Sequence, residues 1–413
     1  MPPVVDSVAD LAKTPTVRAA LEWFRKERAW INDQHLKICR VAAPTFLEEK
    51  RAAYIEERFR ELGWEAWTDR AGNVAAALPG RRLRTGDANV AITAHMDTVL
   101  APRVPEDISI SAQDGSFLGP GVGDNGAGLA GLLALAKVWS EYPKLFEDAP
   151  LAPLLVANVG EEGEGNLSGM RFLCRPHGAR PKAFLILDGP ATDHITCRAL
   201  GSRRFEVTVT GPGGHSWSDH GAGNAVHALS RVITGFMDTV PRDQSPRSSF
   251  NFGLIQGGTS INSIPVEARA KVDLRSEDPG MMDRMAVLLQ SAVDRAVDAE
   301  NAGTASRMNA RVSARVKEIG SRPGGGLPVD APILESIHAV DQFLGIRSQL
   351  DCSSTDANIP LSLGIPAISI GAGGSGGGAH TPGEWFHPEG RELGLRRILL
   401  MVGLLLSRPV AVL

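Results

Sequence analysis

The chain predicts an α/β domain interrupted by a smaller α+β domain, and three observations carry that prediction. Short apolar runs alternate with amphipathic stretches before residue 198 and again after 320, the pattern of strands and helices layered on a parallel or mixed sheet. Between them lie about 120 residues whose strands alternate apolar and polar positions, as strands with one solvated face do. At 413 residues the chain is also too long for one ordinary core.

Taken in order, residues 16–40 and 46–62 show helical apolar spacing, and Gly63 is a natural stop for the second. Residues 72–78 and 90–93 are short apolar strands. The glycine-rich loop Gly119-Pro120-Gly121-Val122-Gly123-Asp124-Asn125-Gly126 opens an apolar helix over 127–139. Residues 151–159 and 183–188 predict buried strands. The insert then predicts a strand at 203–210, a helix at 224–239, strands near 249–256 and 266–274, a helix at 279–299 and a strand near 307–319: a βαββαβ series. After Gly320 come a helix at 331–344, a strand at 366–370 and a final helix at 390–405. The expected divisions are 1–197, 198–319 and 320–413.

Composition excludes several classes. Net charge is −4, with no basic excess, so neither nucleic acid nor an anionic membrane surface is expected as a partner. No apolar run approaches the length of a membrane span. Met-Pro-Pro-Val-Val-Asp-Ser at the start lacks the basic and apolar segments of a secretory signal. Cys39, Cys174, Cys197 and Cys352 are scattered, with no Cys-x-x-Cys, so no disulfide framework or thiolate zinc site is expected. The expected compartment is the cytoplasm, and any metal must be held by His and carboxylates.

Such groups recur where apolar runs end. His95 and Asp97 close the run through Ala94; two apart on a strand, they share a face. That suits a ligating His with an acid beside it, although alone the pair reads first as a polar strand end. Asp124 sits in the glycine loop, Glu161 and Glu162 follow 154–160, Asp188 ends 184–187, and His380 follows the glycines of 373–378. In open α/β sheets, ligands bind at the carboxyl ends of strands. Two imidazoles and five carboxylates are the inventory of a paired divalent-metal site, in which one carboxylate bridges and another stays free as a base. Glu161 and Glu162 can divide those last duties. Singly, each residue reads as a cap, a turn or a solvated loop; the ordered set does not.

The ordered segments resemble the dinuclear-zinc metallopeptidase family of peptidase T, glutamate carboxypeptidase, aminoacylase, acetylornithine deacetylase and succinyl-diaminopimelate desuccinylase. They are Ala94-His95-Met96-Asp97-Thr98, Gly121-Val122-Gly123-Asp124-Asn125, Gly160-Glu161-Glu162-Gly163, Leu187-Asp188-Gly189, Gly213-Gly214-His215-Ser216, Asn262-Ser263-Ile264-Pro265, Asp273-Leu274-Arg275 and Ala379-His380-Thr381-Pro382-Gly383-Glu384. The resemblance implies a three-layer zinc-peptidase-like catalytic domain with a ferredoxin-like lid/dimerisation insert. It implies that His95, Asp124 and Asp188 hold one metal ion, and Asp124, Glu162 and His380 the other. Glu161 would be the general base and later proton donor, with Asp97 orienting His95. His215 would stabilise the oxyanion, in the partner's site where a dimer forms. Asn262 and Arg275 would bind a substrate carboxylate.

The implied cofactors are two zinc ions, with cobalt or manganese as alternatives. The implied reaction is hydrolysis of an amide bond in a small peptide or N-acyl amino acid by metal-bound water, in a homodimer joined through the insert, with peptidase T-like enzymes as the nearest subgroup. Gly126 stands where many relatives carry Lys. Ser353-Ser354-Thr355-Asp356 resembles a family loop near the site, with no role assigned. Two other readings use the same residues: a catalytically inactive binding or regulatory protein, and metals that only stabilise the fold. Glu161 weighs against the first, because a scaffold that only binds needs no base.

Overall fold

The apolar runs form the middle of a nine-stranded mixed sheet. In the computed structural model, which describes residues 4–80, 89–100, 109–176, 181–240, 247–304 and 310–408, its order is Glu65–Thr68, Val74–Ala77, Ala152–Asn158, Asn89–His95, Ala183–Leu187, Ala367–Ile370, His194–Ala199 and Gly325–Gly326, with Gln349–Ser353 also paired to His194–Ala199. The four strands Ala152–Asn158, Asn89–His95, Ala183–Leu187 and Ala367–Ile370 run parallel. All seven residues of Asn89–His95 are buried, which is why its sequence is a continuous run rather than an alternation. Val90, Ile92 and Ala94 join one core cluster with the helices Gly126–Glu141 and Arg391–Ser407. Ala91 joins another, with Phe184, Ile186, Met170 and Ile359. The sheet is thus a middle layer between helices.

The helix expected over 16–40 is two, Pro15–Lys26 and Arg28–Cys39, separated at Glu27. Val17, Ala20, Phe24, Ile31, His35 and Ile38 are all buried and would share one stripe of a straight helix, so the apolar period carries no trace of the break. Glu49–Glu61 stops as expected: Gly63 takes φ +83°, and Trp64 N–H bonds Phe59 O.

A second, antiparallel sheet in this unit has the order Ser375–Gly377, Trp385–His387, Ser116–Leu118, Ser111–Gln113. Trp385 faces Leu118 and Phe386 faces Phe117.

The chain divides into two units, Met1–Ala199 with Gly325–Leu413, and Leu200–Gly324. The second unit has the antiparallel order Ser248–Gly257, Glu267–Ser276, Gly201–Thr210, Ser313–Arg322. Val207, Val209, Ala270 and Val272 point into its core with the helices Ala225–Thr239 and Pro279–Ala302, while Glu206, Thr208, Arg269 and Lys271 occupy the alternate positions. Asn224 and Asp278 cap those helices by accepting backbone N–H bonds. Its last strand runs through Arg322, past the expected 319, after a bulge at Glu318/Gly320. Residues 307–309, where that strand was expected to start, lie outside the described residues. Among the described residues no helix is long and apolar enough to cross a membrane.

Candidate metal centre

Parallel strands end on one edge, and their ends carry the polar set. His95 is the last residue of its strand, directly opposite Asn158. Three and four residues beyond Asn158 come Glu161 and Glu162, and Asp188 follows Leu187. Asp124 reaches them from the glycine loop, and His380 from the loop after Ser375–Gly377.

His95 Nε2 lies 3.0 Å from Asp124 Oδ1 and 3.8 Å from Asp188 Oδ1. His380 Nε2 lies 3.1 Å from Asp124 Oδ2 and 2.6 Å from Glu162 Oε1. Donor atoms of His95, Asp124 and Asp188 lie within 4.8 Å of one another, and so do those of Asp124, Glu162 and His380. Asp124 offers one oxygen to each group, the geometry of a bridging carboxylate. Each group supplies one imidazole nitrogen and carboxylate oxygens, a donor set that fits zinc with a position left open. A third group joins His95, Glu161 and Glu162.

The electrostatics are those of acids crowded around imidazoles. Burial alone would strip His95 of its proton; Asp124, Asp188 and Asp97 more than offset that and hold it well above its ordinary value. Asp124 and Glu162 push His380 up to about 10. Burial would raise Asp124, but His380 and His95 keep it well below the usual carboxylate range.

Around this set the chain fixes each piece. Asp97 Oδ1 accepts the Glu161 N–H at 3.0 Å and lies 3.4 Å from His95 Nδ1. Its Oδ2 accepts the Glu162 N–H at 2.9 Å and the Thr45 hydroxyl at 3.0 Å. Asp97 therefore orients both the His95 ring and the backbone of the two glutamates. Asn125 caps the helix Gly126–Glu141, accepts the Gly189 N–H at 3.2 Å and donates to Leu187 O at 2.8 Å, tying the Asp124 loop to the Asp188 turn. The Asp124–Asn125 peptide is cis. His35 Nε2 donates to Val122 O at 2.7 Å, because its Nδ1 accepts from Arg391 at 2.6 Å; burial lowers the His35 pKa well below its usual value. At Gly126 an added β-carbon would stand 2.4 Å from Cys39 Sγ and 2.6 Å from Gly121 O, so no side chain fits there without a shift of the backbone.

Several of these groups escaped the sequence reading. Thr45, His35 and Arg391 carry no motif. Glu384 and Asp356 stood inside quoted segments without a role. Asp356 is fully buried, accepts Asn158 Nδ2 at 2.6 Å, and is pushed by burial up to about 7.

His215, Asn262 and Arg275 belong to the second unit. His215 is exposed, and its Nδ1 accepts the N–H groups of Trp217 and Ser218 at 3.2 and 3.4 Å, leaving Nε2 as the donor. Ser216 N–H donates to Asn262 O at 3.0 Å, bringing those segments together. Arg275 Nε donates to Asp273 Oδ2 at 2.6 Å and remains part-exposed.

Residues 199–299 match the family model of the peptidase dimerisation domain, and residues 73–210 match that of peptidase family M28. The chain is similar to the uncharacterised protein YqjE of Bacillus subtilis, 22% identical over 360 residues that cover 83% of this chain and 89% of that one. It is 26% identical to a probable carboxypeptidase of Talaromyces marneffei over 242 residues, 52% of this chain and about half (51%) of that relative's length. Among solved structures it resembles the aminopeptidase PepT of Bacillus cereus (TM-score 0.67, 20% identity, 90% of this chain and 97% of that one). It also resembles YxeP of Bacillus subtilis, a dinuclear metal-binding peptidase (TM-score 0.63, 14% identity, 92% and 99%). At these identities the structural likenesses speak for the fold.

Proposed function

We propose that this chain is a dinuclear metallopeptidase of the M20/M28 kind, a reading supported by its matches to the two peptidase family models, and that it hydrolyses an amide bond in a small peptide or N-acyl amino acid, with Glu161 moving the proton. The observation that carries the reading is the pair of donor groups sharing Asp124. His95, Asp124 and Asp188 would hold one divalent ion, and Asp124, Glu162 and His380 the other, with zinc the first choice by donor type and cobalt or manganese as alternatives. Such ions, when bound, lower the pKa of water and polarise a scissile carbonyl.

The chain's own residues do the rest. Glu161 is buried, and its backbone N–H is fixed on Asp97, beside the donor atoms of His95 and Glu162. Its carboxylate accepts the proton of the attacking water and returns it to the leaving amine nitrogen. Asp97 keeps the His95 ring and the Glu161–Glu162 backbone in place for that transfer. His215 presents an Nε2–H donor, suited to a developing oxyanion. Arg275 and Asn262 suit a substrate carboxylate. The match to the dimerisation domain supports a homodimer through the second unit, and a cytoplasmic setting suits the four free cysteines.

A panel of dipeptides, tripeptides and N-acyl amino acids with added zinc, cobalt or manganese tests the activity. In Glu161→Gln, kcat should fall by about 10²–10⁴-fold with both ions still bound. An unchanged rate with ions bound would refute Glu161 as the base.

A further inference from the structure

Glu384 is not among the donor groups, yet it is buried, and its carboxylate accepts three backbone N–H groups from the loop that carries Asp124. Oε2 accepts Gly121 N–H at 2.7 Å; Oε1 accepts Gly123 N–H at 2.8 Å and Asp124 N–H at 2.9 Å. The backbone adds to this, because Gly119 N–H donates to Glu384 O at 3.0 Å. Strand pairing sets up the contact. With Trp385 opposite Leu118, the residue just before one strand faces the residue just after the other. Four positions before Glu384 stands His380, and the turn between them is closed by Thr381 N–H on Gly378 O and Glu384 N–H on Thr381 O. One side chain therefore joins the two segments that bring His380 within 3.1 Å of Asp124. The two ligands that the opposite group does not share are anchored by other means: His95 by Asp97, and the Asp188 turn by Asn125.

We propose that Glu384 is a positioning residue for one half of the metal centre: by joining the Asp124 loop to the His380 loop, it governs affinity for the ion at Asp124, Glu162 and His380, and much less that at His95, Asp124 and Asp188. The inference rests on the two-ion reading above. Gln at this position keeps one acceptor oxygen, so its amide nitrogen must confront a backbone N–H that now donates to a carboxylate. The loop must shift, and with it the separation of Asp124 and His380. Groups that orient metal ligands typically change affinity by about 10–100-fold.

The test titrates the metal-free protein with Co²⁺, following the absorption of bound cobalt, for the unaltered chain, Glu384→Gln and Glu384→Asp. The unaltered chain should take up two ions. Glu384→Gln should bind the first as before and the second about 10–100-fold more weakly. Glu384→Asp, which keeps both oxygens on a shorter stem, should fall between them. If the unaltered chain takes fewer than two ions, the two-ion reading fails. If it takes two and Glu384→Gln matches it in both steps, or loses both steps equally, the role of Glu384 fails. Should Glu384→Gln not fold, as judged by circular dichroism, Glu384→Asp decides: a selectively weaker second step supports the role, and unchanged or equally weakened steps overturn it.

Discussion

Replacing Asp97 with Asn removes one charge and one acceptor from a fully buried carboxylate that Glu161 N–H, Glu162 N–H and the Thr45 hydroxyl all use, beside His95 Nδ1. The amide has one oxygen to give. In either orientation a charge-assisted hydrogen bond is lost, worth about 1.5–3 kcal/mol, and a buried N–H is left facing another donor, costing about 1–3 kcal/mol. Together the loss is about 2.5–6 kcal/mol, a drop in Tm of roughly 5–12 °C at about 2 °C per kcal/mol for a unit of this size. The pH dependence has a definite sign. Burial pushes Asp97 up, but His95 and the N–H groups of Glu162 and Glu161 outweigh it and leave the group below its ordinary value. A depressed carboxylate stabilises the fold above its unfolded pKa, and that contribution fades as pH falls through and below the ordinary carboxylate range. Melting of the metal-free wild type and Asp97→Asn should therefore show the largest gap near neutral pH and a shrinking gap in acid. A gap that stays constant with pH, or is under about 1 kcal/mol at neutral pH, would refute the reasoning. With metal added, Asp97→Asn should lose activity while keeping at least one ion; loss of both would make Asp97 a ligand.

Asp356, raised to about 7, holds its proton more tightly folded than unfolded, so the metal-free protein should lose stability as pH climbs from about 4 through about 7. Asp356→Asn should flatten that slope in a pH series of melts, and a wild-type slope would sink the idea. His95 and His380 are held protonated without metal, so their acid contacts stabilise the fold fully below the ordinary histidine range and less as pH rises through the folded values, about 10 for His380. Ions must then displace those protons: affinity should rise with pH, and calorimetry in buffers of different ionisation heat should report proton release, its absence at neutral pH counting against the scheme. Gly126→Ala forces a methyl against Gly121 O and should destabilise by about 1–3 kcal/mol, read as a lower Tm; no change would mean the loop yields freely.

The sequence was most legible where burial is simplest. The strand Asn89–His95 is apolar from Val90 to Ala94 apart from Thr93, because both faces are covered, and its end was visible as the place where polarity resumes. His95, Asp124, Glu162, Asp188 and His380 could be picked out because each follows such a run or a glycine loop. The strand Gly201–Thr210 was visible by the opposite sign, its alternation reporting one solvated face. What stayed hidden depends on contacts between distant segments. His35 is one more residue on a helical stripe until Arg391, 356 positions away, sets its tautomer. Short strands such as Ser116–Leu118 and Trp385–His387 have too few residues to show a period, yet their pairing holds Glu384 against the Asp124 loop. The break at Glu27 left the apolar stripe unbroken.

Ala199 and Gly325, the residues flanking the second unit, are direct partners in an antiparallel ladder. To the first unit, the whole insertion is therefore a loop whose ends must meet. As an unstructured segment of about 125 residues it would oppose that meeting by about 4 kcal/mol of chain entropy; if it folds first and presents its own ends side by side, most of that opposition disappears. The order of assembly this favours is the insertion before the sheet edge at His194–Ala199. The same geometry makes Ala199 and Gly325 the natural points at which to cut the insertion out and rejoin the chain with a short turn.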